Sequence, residues 1–157
     1  MATIAPERAR IFGRSIKRRE DPRLITGRGR FTDDIRLPGT LHAVFVRSPH
    51  AHARIRGIDV SAARGHPGVV AVYTGRDLAD GGVNPIPTGW LLEGLKPGER
   101  RALAVDRVRY VGEAVAVVIA DSPYTARDAA ELVEVDYEPL PAVAEVEAAA
   151  APGAPTL

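Results

Sequence analysis

The chain has 157 residues, 45% hydrophobic and 26% charged, which is enough for one globular domain with its own core. A net charge of +1 gives no overall attraction to nucleic acid or an anionic membrane. The absence of cysteine excludes disulfides, thiolate metal sites and iron–sulfur clusters within this chain. No apolar run approaches the roughly 20 residues that span a bilayer, and no apolar segment follows Arg18-Arg19 as an export signal requires. We therefore expect a cytoplasmic protein.

The N-terminal segment is basic. Nine Lys and Arg residues oppose three acidic residues over residues 1–30, and isolated apolar residues show no helical or strand period. We expect an arm, assigned to residues 1–25, that lies extended over a surface. Glu20 and Asp21 precede Pro22 in this segment, and we expect them to cap the chain or pair with nearby arginines. "TGRGRF" lacks the glycine spacing of phosphate-binding loops.

Two strands are predicted next, over residues 41–48 and 53–60. The first follows the turn signal "LPG" and carries apolar residues on both faces, which predicts that it is covered on both sides. It ends at Pro49, which cannot donate a hydrogen bond to a neighbouring strand. The second alternates Ile55 with arginines, a half-buried pattern.

The middle of the chain predicts short elements followed by a long loop. "SAARGHPG" indicates a helical turn that Gly65 and Pro67 break, and "GRDLAD" indicates another brief helix. Between them, the β-branched run over residues 69–75 predicts a buried strand. Residues 80–104 are rich in Gly and Pro, and a loop of this length is usually functional or packed against a partner.

The C-terminal third predicts strands over residues 105–112 and 114–120, then a helix and a last strand. Ser122 is a good helix N-cap and Pro123 suits the first helical position. "VEVDYEPL" alternates as a strand, and an alanine-rich tail follows. With hairpin-like junctions between strands, this order predicts an α+β fold of antiparallel or mixed strands with one main helix. We expect the domain to span residues 26–145 and the tail residues 146–157.

Few residues form a pattern with catalytic or metal-binding potential. His50 and His52 in "SPHAHARI" are two residues apart, the spacing that lets both face one side of a strand. A metal site needs three or four ligands, however, and His42 and His66 make no recognisable motif with them, so we favour a structural role. Glu113 is interpreted as a turn or interface carboxylate that backbone N–H groups or an arginine satisfy, rather than a general base.

Acidic residues also cluster near the last strand. We expect this stretch to be a solvated face or a partner of the basic arm, and it contains Glu131, Glu134, Asp136 and Glu138.

Several motifs occur together in one order: E-D-x-x-L-x-T-G, D-D-I-x-L-P-G-x-L-H, R-S-P-x-A-H-A-x-I and V-x-Y-V-G-E. On these motifs, residues 13–155 resemble the N-terminal α/β-hammerhead domain of the molybdopterin-binding large subunit of the xanthine dehydrogenase, aldehyde oxidase and carbon monoxide dehydrogenase family. Ala114 departs from the pattern, because the family usually has proline there.

The resemblance implies a structural or assembly domain of a molybdenum hydroxylase that is inactive alone. It implies no catalytic, cofactor-binding or metal-binding residue in this chain, and a molybdenum–molybdopterin cytosine dinucleotide in the full complex. Implied partners are the molybdopterin-binding catalytic region or chain, and iron–sulfur and FAD subunits, with no nucleic acid and no membrane. The motif residues with expected structural or interface roles are Glu20, Asp21, Gly27, Asp34, Pro38, Gly39, Arg47, Ser48, Pro49, His50, His52, Gly112 and Glu113.

Other readings remain open at this point. The chain could be a free-standing binding module, for instance for nucleic acid through its basic arm, or an orphaned truncated domain without activity. It could also be a swinging-arm carrier, for which Lys96 in "LKPGER" is the loop candidate.

Overall fold

The computed structural model describes residues 13–90, 92–95 and 98–157. Its backbone contacts divide the chain into two compact units, Met1–Pro38 and Gly39–Leu157. No helix among the described residues is long and apolar enough to cross a membrane.

The described part of the first unit contains helix α1, Asp21–Ile25, and a single 3-10 turn at Thr32–Asp34. The expectation of an extended arm is wrong for α1. Pro22 lies in its first turn, where its missing N–H costs nothing, and the backbone carbonyl of Glu20 accepts hydrogen bonds from the first turn. The Asp21 carboxylate pairs with Arg18 at 3.0 Å, as the sequence predicts.

The second unit contains two three-stranded antiparallel sheets. The first sheet has the order β1-β5-β3 and the second the order β4-β2-β6. The strands are β1 (His42–Arg47), β2 (Ala53–Asp59), β3 (Val69–Thr74), β4 (Arg107–Val108), β5 (Ala114–Ala120) and β6 (Glu134–Pro139). The helices are α2 (Ser61–Gly65), α3 (Gly75–Asp80), α4 (Pro123–Glu131) and α5 (Val146–Ala149). The predicted α+β fold, with antiparallel strands and one main helix, is confirmed.

Two details of the predicted sheet are wrong. The sequence predicts hairpins between consecutive strands, but consecutive strands among the described residues do not pair. Instead, β1 pairs with β5, and β2 pairs with β4 and β6. The strand predicted over residues 105–112 is reduced to β4. The chain turns after it, where Gly112 adopts a φ of 89° that glycine tolerates best.

The core lies in two buried clusters. One joins the inner face of the first sheet to the helices, with Val118 and Val72 packed against Ala129 of α4 and Ala63 of α2. The other lies at the second sheet and contains Ala53, Ala104, Val108 and Val115. Ile58 of β2 packs against both clusters, so this strand links the two layers.

The end of the loop over residues 80–104 packs against the core, and its backbone lies very close to the backbone of α3. Leu103 and Ala104 are almost fully buried, at 2% and 4% exposure. The Ala104 carbonyl passes over Gly75, the first residue of α3, at a place where a Cβ atom would lie only 2.0 Å from the carbonyl oxygen. Only glycine fits this position without a shift of the backbone.

Candidate interaction site

The end of β1 brings together two sequence motifs that lie more than 60 residues apart. The Arg47 guanidinium donates a hydrogen bond to the Gly112 carbonyl at 2.8 Å. The Ser48 N–H donates to the Glu113 carbonyl at 2.9 Å, and the Gly112 N–H donates to the Ser48 carbonyl at 2.8 Å. Backbone bonds therefore join the R-S-P segment to the G-E turn, and we call this junction, residues 47–52 with 109–113, the motif corner.

The turn at residues 109–113 is held by its own carboxylate. Glu113 Oε2 accepts a hydrogen bond from the Arg109 N–H at 2.5 Å. This contact matches the interpretation of Glu113 as a turn carboxylate that a backbone N–H satisfies. Ala114, the position where the family usually has proline, begins β5 opposite Arg47, and its carbonyl accepts from the Ala104 N–H at 2.8 Å.

Ser48 and His50 form the buried side of the motif corner. The Ser48 side chain is 2% exposed, and its hydroxyl accepts a hydrogen bond from the His50 N–H at 3.0 Å. The His50 ring meets the Tyr137 ring edge-on, with centroids 4.9 Å apart. Burial raises the pKa of the Tyr137 phenol, and a hydrogen bond with Ser48 opposes that rise.

His52 is fixed to the chain that follows β6. Its Nδ1 lies 2.6 Å from the Pro141 carbonyl, and its own carbonyl accepts from the Leu140 N–H at 2.9 Å. The residue is 6% exposed, and Nε2 is buried without a partner. A ring that uses Nδ1 for a carbonyl and buries Nε2 has no free nitrogen for a solvent-borne metal.

The remaining motif residues lie elsewhere. Glu20 and Asp21 belong to α1, and Asp34 Oδ2 accepts a hydrogen bond from the Phe31 N–H at 2.9 Å within the first unit. Gly27 and Gly39 have φ values of 69° and 78°, so each makes a turn that disfavours other residues. Glu20, Asp21, Gly27, Asp34 and Pro38 belong to the first unit, whereas the motif corner belongs to the second.

The acidic stretch is exposed for the most part, and one member forms ion pairs. Glu138 Oε2 lies 3.4 Å from both Arg54 and Arg56, across the β2–β6 pair. Such exposed pairs contribute about 0–1 kcal/mol each.

Sequence reasoning missed an uncovered apolar face on the first sheet. The register places Phe45 of β1, Val117 of β5 and Tyr73 of β3 in one cross-strand row. Phe45 is 47% exposed and Tyr73 is 43% exposed, so the expected coverage of both faces of residues 41–48 is wrong within this chain. The buried position expected for residues 69–75 is also only partly found, because β3 is an edge strand.

One depression, of about 510 Å³, lies beside β2 and β6 and is lined in part by Asp59, Glu134 and Asp136. The negative charge of these residues does not suit the phosphates of a pterin dinucleotide. No group of three or more His, Asp or Glu side chains in the described ranges is placed to hold a metal ion.

Comparison with known proteins agrees with this geometry. The family described as "Aldehyde oxidase and xanthine dehydrogenase, a/b hammerhead domain" matches residues 26–141. The carbon monoxide dehydrogenase large chain of Afipia carboxidovorans is 44% identical over 96% of this chain and 18% of its own length. The xanthine dehydrogenase molybdenum-binding subunit of Escherichia coli O157:H7 is 41% identical over 81% of this chain and 17% of its own length.

A solved structure gives the same result. Quinoline 2-oxidoreductase from Pseudomonas putida 86 superposes with a TM-score of 0.77 and 48% identity, over 87% of this chain and 17% of that one. The chain thus spans less than a fifth of the length of the relatives it matches. On the matched family and these identities, the chain belongs to the aldehyde oxidase and xanthine dehydrogenase family and contains its a/b hammerhead domain.

Proposed function

We propose that this chain is the hammerhead domain of a molybdenum hydroxylase large subunit, and that its role is assembly. The observation that carries the proposal is the family match over residues 26–141. The reaction, an oxidation or hydroxylation of the carbon monoxide dehydrogenase or xanthine dehydrogenase type, would take place in the part that the relatives carry beyond the matched region. The domain is inactive alone.

The proposed cofactor of the full complex is a molybdenum–molybdopterin cytosine dinucleotide. When bound, it would supply the redox chemistry of the enzyme, and this chain would hold none of it. The support is that the relatives include a molybdenum-binding subunit and carbon monoxide dehydrogenase large chains. The proposed partners are the molybdopterin-binding region and, beyond it, iron–sulfur and FAD subunits, and the proposed location is the cytoplasm.

We assign a separate role to each segment of the chain, with the boundaries taken from the sequence. Residues 26–145 form the hammerhead domain, residues 1–25 an arm that contacts the partner, and residues 146–157 the start of a linker to the molybdopterin-binding region. The loop over residues 80–104 is a second proposed contact. Its described residues include large apolar side chains that are exposed to solvent, among them Ile86 at 56%, Trp90 at 78% and Leu92 at 64% exposure. Side chains of this size are typical of interfaces.

No observation favours the alternative functions. A carrier would use Lys96, which lies outside the described residues, and a nucleic-acid module would need stacking aromatics beside its basic residues.

A comparison of the chain alone with its native assembly tests the proposal. The purified chain and the assembly isolated from its own cells are each mixed with a redox dye and with carbon monoxide, xanthine or an aldehyde. We expect dye reduction with at least one substrate by the assembly and none by the chain alone. Turnover by the chain alone would overturn the assembly role.

A further inference from the structure

We propose that the outer face of the β1-β5-β3 sheet is the docking surface of this domain, and that its occupant is an apolar surface of the remainder of the large subunit. The inference rests on the proposed function and deepens it, because it names which side of the domain meets the partner.

The composition of this face is the first argument. Antiparallel sheets with one solvated face normally alternate apolar and polar residues along each strand. Here the outward positions of three neighbouring strands are apolar, and the inner rows that contain Val118 and Val72 are buried as well. The outer face consists of Ala43 and Phe45 on β1, Val117 and Ile119 on β5, and Ala71 and Tyr73 on β3.

The exposure of these residues is the second argument. Phe45 and Tyr73 keep nearly half of their surface in solvent, at 47% and 43% exposure. A contiguous apolar area of this kind on a folded domain marks a contact site more often than a solvated surface.

The opposite side of the same sheet provides the contrast. Helix α4 covers the inner face, and its outward positions carry the charged side chains of Arg127, Asp128 and Glu131, all exposed. A charged outer helix surface is suited to water. The charged outer surface of α4 is therefore suited to solvent, whereas the apolar outer face of the β1-β5-β3 sheet is suited to an apolar partner.

Continuity with the motif corner extends the surface at one end. Arg47 continues β1 beyond Phe45, and its guanidinium lies 5.7 Å from the centre of the Phe45 ring while it donates to the Gly112 carbonyl. The neighbouring turn residues Tyr110 and Val111 are 59% and 65% exposed. The charge of Arg47 is thus placed at the rim of the apolar face, the arrangement found at protein interfaces.

The relatives identify the occupant. In four curated relatives, which are 42–46% identical to this chain, the matched region is 16–18% of the relative's own length. More than four fifths of each of those chains lies outside the matched region, so in each relative this domain is accompanied by a much larger protein surface. We assign the face to the corresponding surface of the large subunit rather than to a second copy of the domain.

Cysteine labelling tests the surface directly, because the natural chain contains no cysteine. The variant Tyr73→Cys places one thiol on the proposed face, and Phe45→Cys is a second variant in case the first does not assemble. Tyr124→Cys, at a position 81% exposed on α4, is the matched control. Each assembly is isolated from its own cells under native conditions and treated with a maleimide. The labelled peptide of this chain is then quantified by mass spectrometry.

We expect the thiol at position 73 to react about tenfold or more slowly than the thiol at position 124, because the centre of an interface excludes solvent. After denaturation both should react at the same rate. Equal rates in the native assembly would overturn the docking surface and leave the assembly role intact. Protection at position 73 in a particle that contains only copies of this chain would assign the face to a dimer and overturn the proposed occupant. Recovery of the wild-type chain as a free monomer would overturn both proposals.

Discussion

Gly75 is the residue at which the packing of this domain leaves least room. A Cβ atom there would lie 2.0 Å from the Ala104 carbonyl oxygen and 3.0 Å from that of Leu103. Both neighbours are backbone atoms of the buried loop end, so neither moves away as a flexible side chain would.

We predict that Gly75→Ala lowers the free energy of unfolding by about 1–3 kcal/mol, the usual cost of overpacking. The free energy of unfolding of each variant is measured by urea denaturation, with circular dichroism as the signal. Gly65→Ala is the control, because a Cβ atom at that position meets no atom within 4 Å. Equal stabilities of the two variants would show that the loop end does not pack over α3 as described.

His52 is the second residue whose role the structure defines. We predict that His52→Ala destabilises the chain by about 1–3 kcal/mol, because the buried imidazole and its hydrogen bond at 2.6 Å with the Pro141 carbonyl are both lost. His66→Ala is the control, and we expect it to lower the free energy of unfolding by less than His52→Ala. The His66 Nδ1 lies 3.0 Å from the carbonyl of the adjacent Pro67. The unfolding midpoint is measured with and without Zn²⁺. A zinc-dependent rise that disappears in the His52 variant would contradict the structural role.

Residue partners were the least predictable part of the site. The spacing of His50 and His52 raised a metal pair as one reading and favoured a structural role, but it did not indicate which residues they contact. Their partners, Tyr137 and Pro141, lie more than 85 residues along the chain and reach the motif corner only through the pairing of β2 with β6. Pattern analysis works over near neighbours and cannot supply such contacts.

At the scale of elements, the N-cap of α4 is the clearest match between sequence and structure, whereas the cap of α3 was not predicted. The Ser122 hydroxyl accepts from the Thr125 N–H at 3.1 Å and begins α4 where the sequence predicts. At α3, the Thr74 hydroxyl accepts from the Asp77 N–H, and the Asp77 carboxylate accepts from the Thr74 N–H at 2.7 Å. These two bonds form a reciprocal cap.

The cap at α3 makes stability depend on pH. Hydrogen bonds from the Thr74 backbone and hydroxyl lower the pKa of Asp77 below its ordinary value of 3.8. A carboxyl with a lowered folded-state pKa adds stability above its unfolded pKa and loses it as the pH falls through the folded value.

We predict that Asp77→Asn is less stable than the natural chain at pH 7, and that this difference shrinks as the pH falls below about 3.8. Unfolding midpoints across pH 2–7 measure it. Ser122→Ala is the control, because it removes a cap worth about 1 kcal/mol whose members do not titrate over that range. A constant difference for the Asp77 variant would contradict its role in the cap.

Most element positions followed from local patterns, whereas strand pairing did not. Alternation and β-branched runs located β1, β2, β3, β5 and β6 to within about two residues, the usual boundary error. The predicted hairpins were wrong because each strand pairs with a distant one, and no local pattern encodes that choice. The strand predicted over residues 105–112 is longer than β4, because the chain turns at Gly112. The Glu113 carboxylate holds that turn.

At the scale of the whole molecule, one apparent failure of the sequence analysis becomes informative. Apolar residues on both faces of β1 predicted coverage on both sides, yet this chain covers only the inner face. The pattern is that of a strand in a larger structure, and the family relatives are indeed more than five times as long as the matched region. The outward apolar residues of β1 belong to the face that we propose as the docking surface, and no local pattern in the sequence identifies the partner.

The most direct test of the account is the native mass and molybdenum content of the particle that the tagged chain isolates from its own cells. We predict a mass several times the chain's own 16.8 kDa, with stoichiometric molybdenum and a molybdopterin-binding polypeptide present. A metal-free species of about 16.8 kDa would contradict the proposed assembly role.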